Sequence, residues 1–346
     1  MKGPFVTGSG KVTTERVTES LLFNALAAGD LDPVTRAMLP GAIASLADGD
    51  AAPLLHIAAL AGSAGEDDGD INAARLLATT CIEGRMPWSP DSPVASRAAA
   101  LKAYAGGLGP APFAPFRPAT VLESSAASLC AAWPATPAPQ GVASQGPDVP
   151  VLVLSGREDL RTPTEDARRT AAQYPHAQVL TIPEAGHSVL TTEPTGCALD
   201  GMVAFLAGRP LQQCSQRRDG KALAKLGIAS PYLPASISGL KPTRVGGLPG
   251  RTLTAVALTV AGVVGDIVVT SARTMRVPGL RAGYARVSRH AVTLAGVEWF
   301  RGVRVSGTLS GPAKGTLTVS GPNAAAGTIT LSGRTAAGTL GGRAIR

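Results

Sequence analysis

The chain has 346 residues, of which 45% are hydrophobic and only 16% charged. That balance excludes a wholly disordered chain, and with aromatic residues at 4% the cores must be built from Val, Leu, Ile and Ala. The net charge of +8 is unevenly spread: residues 221–346 hold 16 Lys and Arg against only Asp266 and Glu298, a net +14, which leaves 16 basic and 22 acidic groups, a net −6, for residues 1–220.

A break in charge and composition near residue 220 marks a domain boundary. No stretch approaches the ~20 apolar residues that span a bilayer, and the run Ala255–Val264 reads as a strand. The opening MKGPFVTGSGKVTTER lacks the apolar core of a signal peptide.

Residues 11–63 read as helices. The first begins at Thr13 and Thr14, with Val17, Leu21, Leu22 and Leu26 at helical spacing. The next starts at Pro33 and is interrupted at Pro40. GSAGEDDGD at 62–70 is a glycine-rich polar break before INAARLLATTC resumes a helical pattern. Prolines crowd residues 84–148. VPVLVLSG at 149–156 then forms a continuous apolar run, the pattern of a parallel strand buried on both faces. A helix, a second strand (AQVLTIPEAGH) and a final helix (LDGMVAFLAG) follow, which is the order of a doubly wound sheet. Beyond about residue 228, LTAVALTVAGVVGDIVVT and the segments after it read as short alternating strands separated by glycine turns.

The chemistry concentrates in residues 149–214. Asp159 lies just past the first strand and His187 just past the second. Parallel strands present their C-terminal ends at one edge of the sheet, so the two loops should be neighbours. A histidine base oriented by a carboxylate is two-thirds of a nucleophilic triad, and acid before histidine is the chain order of α/β hydrolases. An ordinary loop aspartate and a surface histidine are the bland alternative. His56, His176 and His290 have no partner at useful spacing and read as structural.

The motifs G-x-x-D-x-x-T-P around Asp159, G-H-S around His187, the cysteine that follows and C-x-x-W-P at Cys130–Pro134 make residues 5–214 resemble bacterial tripeptidyl-aminopeptidase-like α/β hydrolases. The resemblance implies the C-terminal portion of an α/β hydrolase (partial parallel sheet plus helical cap) followed by a small all-β domain. The expected divisions are 1–148 for the cap, 149–220 for the hydrolase segment and 221–346 for a basic β-rich domain. The family is secreted, needs no cofactor and cleaves short peptides or related esters. Its G-x-S-x-G nucleophile elbow occurs nowhere in this chain, so the nucleophile half is expected to be missing or supplied separately, and activity of this chain alone is not expected. Glu83 is a candidate for holding a substrate's amino group, against simple solvation.

Four cysteines allow three pairings, of which Cys81–Cys130 with Cys197–Cys214 is favoured; four reduced thiols fit a cytosolic protein. No C-x-x-C spacing or histidine cluster points to a metal. The basic tail has no zinc spacing, stacking motif or helix-turn-helix pattern, so nucleic acid is not an expected partner. The rival reading is a non-catalytic binding protein whose basic β domain recognises an envelope polymer or a protein partner.

Overall fold

The computed structural model describes residues 1–346 apart from 32, 64–72, 137–145, 194, 216–232, 271–275, 312–313 and 334. The glycine-rich break at 64–70 and the boundary near residue 220 lie outside the described residues.

The chain opens with an antiparallel hairpin, β1 (Lys2–Val6) and β2 (Val12–Arg16), with Lys2 opposite Arg16. This corrects the helix expected from Thr13. Val12, Thr13 and Thr14 are β-branched and favour a strand, and Gly10 at φ +83° closes the turn. The first helix, α1 (Glu19–Ala28), starts only after Thr18, whose hydroxyl accepts the Leu21 N–H at 3.1 Å. Next come α2 (Pro33–Ala47) and α3 (Ala52–Ser63). The expected interruption at Pro40 does not occur, and α2 runs through it. Leu39, Ala42, Leu54 and Ile57 form the small core that these helices share.

The helical region continues as α4 (Ala73–Glu83), α5 (Val94–Leu108), α6 (Pro118–Ser124) and α7 (Ala126–Cys130). A Cys81–Cys130 disulfide ties α4 to α7. Arg97 is fully buried among these elements and donates to the carbonyls of Pro90, Ser92 and Trp133, which satisfies loops that lack regular structure.

The hydrolase-like segment follows the expected order: β3 (Pro150–Gly156), α8 (Thr164–Ala171), β4 (His176–Ile182), α9 (Val189–Thr192) and α10 (Cys197–Leu206). β3 and β4 are parallel, with Pro150 opposite His176 and Gly156 opposite Ile182. Leu180, Ile182 and Ala198 bury their side chains between β4 and α10. The second disulfide, Cys197–Cys214, closes a 17-residue separation around α10. By loop-closure entropy its removal in Cys197→Ala/Cys214→Ala should cost about 3 kcal/mol, read as lowered stability in urea unfolding, with an m-value that stays or rises as the unfolded chain is released.

The C-terminal region holds the expected β-rich sheet but departs from the sequence reading ahead of it. Residues Gly247–Val269 form one 23-residue helix, α11, where strands were expected. Its buried positions Thr252, Ala255, Val256, Thr259, Val260, Val263 and Asp266 advance by three or four residues or lie side by side, the stripe of a helix facing a core. Gly262 lets the Trp299 ring lie against the helix backbone, since a Cβ there would sit 1.9 Å from the ring. By length and composition α11 reaches what a bilayer requires, with a mean hydropathy of 2.0, so the expectation that no segment does is also corrected.

Eight strands then run as an antiparallel meander in sequence order: β5 (Arg276–Pro278), β6 (Ala282–Val287), β7 (Ala291–Phe300), β8 (Val303–Ser310), β9 (Lys314–Ser320), β10 (Gly327–Ser332), β11 (Thr335–Leu340) and β12 (Arg343–Ile345). One face carries Val305, Leu317, Ile329 and Leu340 against α11. The other presents threonine, with hydroxyl contacts Thr293–Thr308 and Thr316–Thr330.

Two buried polar pairs bind the N-terminal helices to this domain. His56 of α3 meets Asp266 of α11 at 3.0 Å, with the Trp299 ring edge-on to the imidazole. Asp50, ahead of α3, pairs with Arg281 between β5 and β6. His56, for which the sequence offered no partner at useful spacing, has one 210 residues away.

Candidate active site

Asp159 and His187 are brought together. They lie three and five residues beyond the paired ends of β3 and β4, Gly156 and Ile182. His187 Nδ1 is 3.1 Å from Asp159 Oδ2 and 3.3 Å from Oδ1. The loops are stitched by the Arg157 N–H on the Ile182 carbonyl and the Glu158 N–H on the Ala185 carbonyl, both at 3.0 Å.

The carboxylate is nearly enclosed, its side chain 5% exposed against 39% for His187. Oδ1 accepts the backbone N–H groups of Arg161 and Thr162, each at 2.8 Å. Oδ2 accepts the Thr162 hydroxyl at 2.7 Å. Burial alone pushes the Asp159 carboxyl up, but the Thr162 N–H and hydroxyl, the Arg161 N–H and the His187 ring together outweigh it and hold the carboxyl below its ordinary value. Asp159 thus stays ionised at neutral pH. The stability this contributes is present above the unfolded carboxylate value of ~3.9 and is lost as pH falls through the lower folded value.

With Nδ1 turned to the carboxylate, Nε2 points to the opposite side of the ring, the nitrogen that accepts and returns a proton in a triad. The Thr162 hydroxyl lies 3.2 Å from Nδ1. It is committed to Asp159 and faces the wrong ring nitrogen for a nucleophile. Among the described residues, no Ser or Cys side chain bonds to His187.

One residue of the site carried no sequence signal. Asp30, buried at the end of α1, reaches both loops. Its carbonyl accepts the His187 N–H at 2.8 Å, its Oδ1 accepts the Leu160 N–H at 2.9 Å, and its Oδ2 pairs with Arg161 at 2.9 Å. Gly186 is glycine because its α-carbon rides against Asp30, whose carbonyl oxygen would lie 1.9 Å from any Cβ. An aspartate 130 residues away from Leu160 leaves no local pattern to read. Replacing Asp30 with Ala strands the Leu160 N–H and should cost about 1–3 kcal/mol. The accompanying loss of definition in both loops should appear as broadened His187 ring resonances.

Glu83 is exposed at the end of α4. Among the described residues, no group of three or more His, Cys, Asp or Glu side chains could hold a metal ion.

The strand–helix–strand arrangement with an acid and a histidine at one edge is that of α/β-hydrolase-related proteins. Residues 114–213 match the family model of that class described as TAP-like protein. The matched segment takes in β3, β4 and both site residues. No curated protein and no solved structure matches the chain.

Proposed function

We propose that Asp159 and His187 are the acid and base of a serine hydrolase that cleaves peptide or ester bonds in an aminopeptidase-like manner, with the nucleophile supplied from outside these 346 residues. The observation that carries this reading is the Asp159–His187 contact, with Nδ1 held by an enclosed, ionised carboxylate and Nε2 left to the substrate side. Histidine would take the proton of an attacking serine and return it to the leaving group, while Asp159 fixes the ring and stabilises its cation. The short helices of residues 73–130 would restrict the site to short or unblocked substrates.

A second feature favours an external partner segment. Among the described residues, β3 and β4 pair only with each other, so each leaves a strand edge open. Leu160, Leu199 and Leu206 of the same segment are 52–75% exposed. Two strands do not make an independently stable sheet, and further parallel strands carrying the serine would cover these groups. The two disulfides are compatible with an extracellular or envelope location.

The test is to label activated serines with a fluorophosphonate, using protein isolated from its native source. We expect labelling of a serine on an accompanying polypeptide or on a segment beyond these residues, lost in His187→Ala. Labelling that persists unchanged in His187→Ala sinks the assignment, and so does a complete absence of any labelled companion.

A further inference from the structure

A surface helix ordinarily turns charged and polar residues to water. α11 does not. From Thr252 to Gly265 it contains no charged residue, and Ala257, Ala261, Val264 and Val268, at spacings of four, three and four, form an exposed apolar stripe along its outer face.

The stripe does not stand alone. On one side a cleft of about 460 Å³ runs between α11 and the β6–β7 turn; on the other a cleft of about 820 Å³ runs between α11 and the β10–β11 turn. Val260 and Val264 wall both clefts, so they and the stripe form one apolar surface about the helix. Contiguous apolar surface of this kind marks a site of interaction.

The charge around it has one sign. Arg289 lines the first cleft and Arg244 the second. The acidic residues of 221–346 are only two, and both are engaged internally: Asp266 with His56, and Glu298 with Arg304 and the Gly302 N–H. The described surface of this domain therefore offers cations around an apolar stripe and no free carboxylate side chain to oppose them.

We propose that this face of the C-terminal domain docks peripherally on an anionic lipid bilayer, with the outer stripe of α11 seated at the level of the headgroups and the arginines beside it paired with lipid phosphates. Apolar burial and attraction to anionic headgroups are the two contributions that hold an in-plane helix at a membrane surface. The helix lies on the bilayer and does not cross it. Val256 and Val263 are 1–2% exposed against the sheet, and Asp266 is sealed under His56. Spanning would strip the sheet of its cover and carry a carboxylate into hydrocarbon. The proposal is independent of the hydrolase reading, since it uses none of those residues.

Vesicle co-sedimentation of the full chain decides it. The protein should bind vesicles containing about one-third phosphatidylglycerol and should not bind pure phosphatidylcholine, as expected where anionic lipid supplies the attraction. Ala261→Glu and Val264→Asp sit on the exposed stripe and should each weaken binding to the anionic vesicles by about tenfold or more. Thr316→Glu, on the polar face of the sheet, makes the same change in charge and should leave most of the binding, and unchanged circular-dichroism melts would show that the variants fold. Four results overturn the proposal: no binding to anionic vesicles; equal loss in Thr316→Glu and the stripe variants; dispersal of a dimer by Ala261→Glu, which makes the stripe a contact between copies; or uptake of a fluorescent fatty acid without vesicle binding, which makes the clefts a site for single amphiphiles.

Discussion

Replacing Arg281 with Met should destabilise the protein by about 3–5 kcal/mol, the range for breaking a buried ion pair from one side. Arg281 and Asp50 are 6% and 10% exposed and meet through both guanidinium nitrogens. The same guanidinium donates through Nε to the Trp299 carbonyl at 2.9 Å, while the Asp50 carboxylate also accepts the Ala52 N–H. Remove the arginine, and among the described residues a carboxylate is left buried with that N–H and the more distant Arg301, at 3.7 Å, to answer it. A second replacement, Asp50→Leu, should recover much of the loss, because it removes the stranded charge. Equal destabilisation of the single and double variants would show that packing rather than charge holds this contact.

The pH dependence follows the same logic. Burial pushes the Asp50 carboxyl up, but hydrogen bonding and charge from Arg281, the Ala52 N–H and the charge of Arg301 bring it below its ordinary value. A depressed folded value contributes stability that is present above the unfolded value of ~3.9 and disappears as pH falls through the folded one. In Arg281→Met the carboxyl loses that support and protonates more readily. The difference between wild type and Arg281→Met, taken from denaturant midpoints, should therefore be full at pH 7 and shrink under acid.

The two pairs joining α2–α3 to the C-terminal domain could not be read from the sequence. Asp50 and Arg281 are separated by 231 residues, and His56 and Asp266 by 210. Local patterns report on a residue's own element, and nothing in either neighbourhood names its partner. The hydrolase-like segment was legible for the opposite reason. β3 and β4 each end in a short loop, parallel pairing sets those loops side by side, and Asp159 and His187 are 28 residues apart with one helix between them. The second disulfide was likewise within reach, since Cys197 and Cys214 flank a single helix.

α11 was misread because its residues argue against its conformation. Val, Thr and Ile favour strands, and hydrophobic residues in LTAVALTVAGVVGD fall often enough to imitate alternation. Length was the better guide. Twenty-three residues without an internal turn exceed an ordinary strand, and packing across the sheet overrides the weak helical propensity of Val and Thr. At the start of the chain the opposite holds: the helix expected to begin at Thr13 and Thr14 is a strand there, and the helix starts only after its cap, Thr18.

Substituting Asp159 with Asn should lower kcat of the completed hydrolase by about 10⁴-fold, the magnitude associated with a wrong histidine tautomer in a triad. The hydrogen bonds of the site force this outcome. The position of Oδ1 accepts two backbone N–H groups, from Arg161 and Thr162, so an amide nitrogen cannot occupy it. The Asn nitrogen must take the place of Oδ2, where it becomes a donor facing His187 Nδ1. The ring then accepts at Nδ1 and carries its proton on Nε2, which leaves Nε2 unable to take a proton from a serine. This switch needs no nucleophile and can be read on the present chain by 15N chemical shifts of the His187 ring. Wild type should show a protonated Nδ1 and a bare Nε2, and Asp159→Asn the reverse at unchanged fold. If the tautomer is the same in both proteins, Asp159 does not orient His187, and the pair is a structural contact at a sheet edge, not the acid and base of an enzyme.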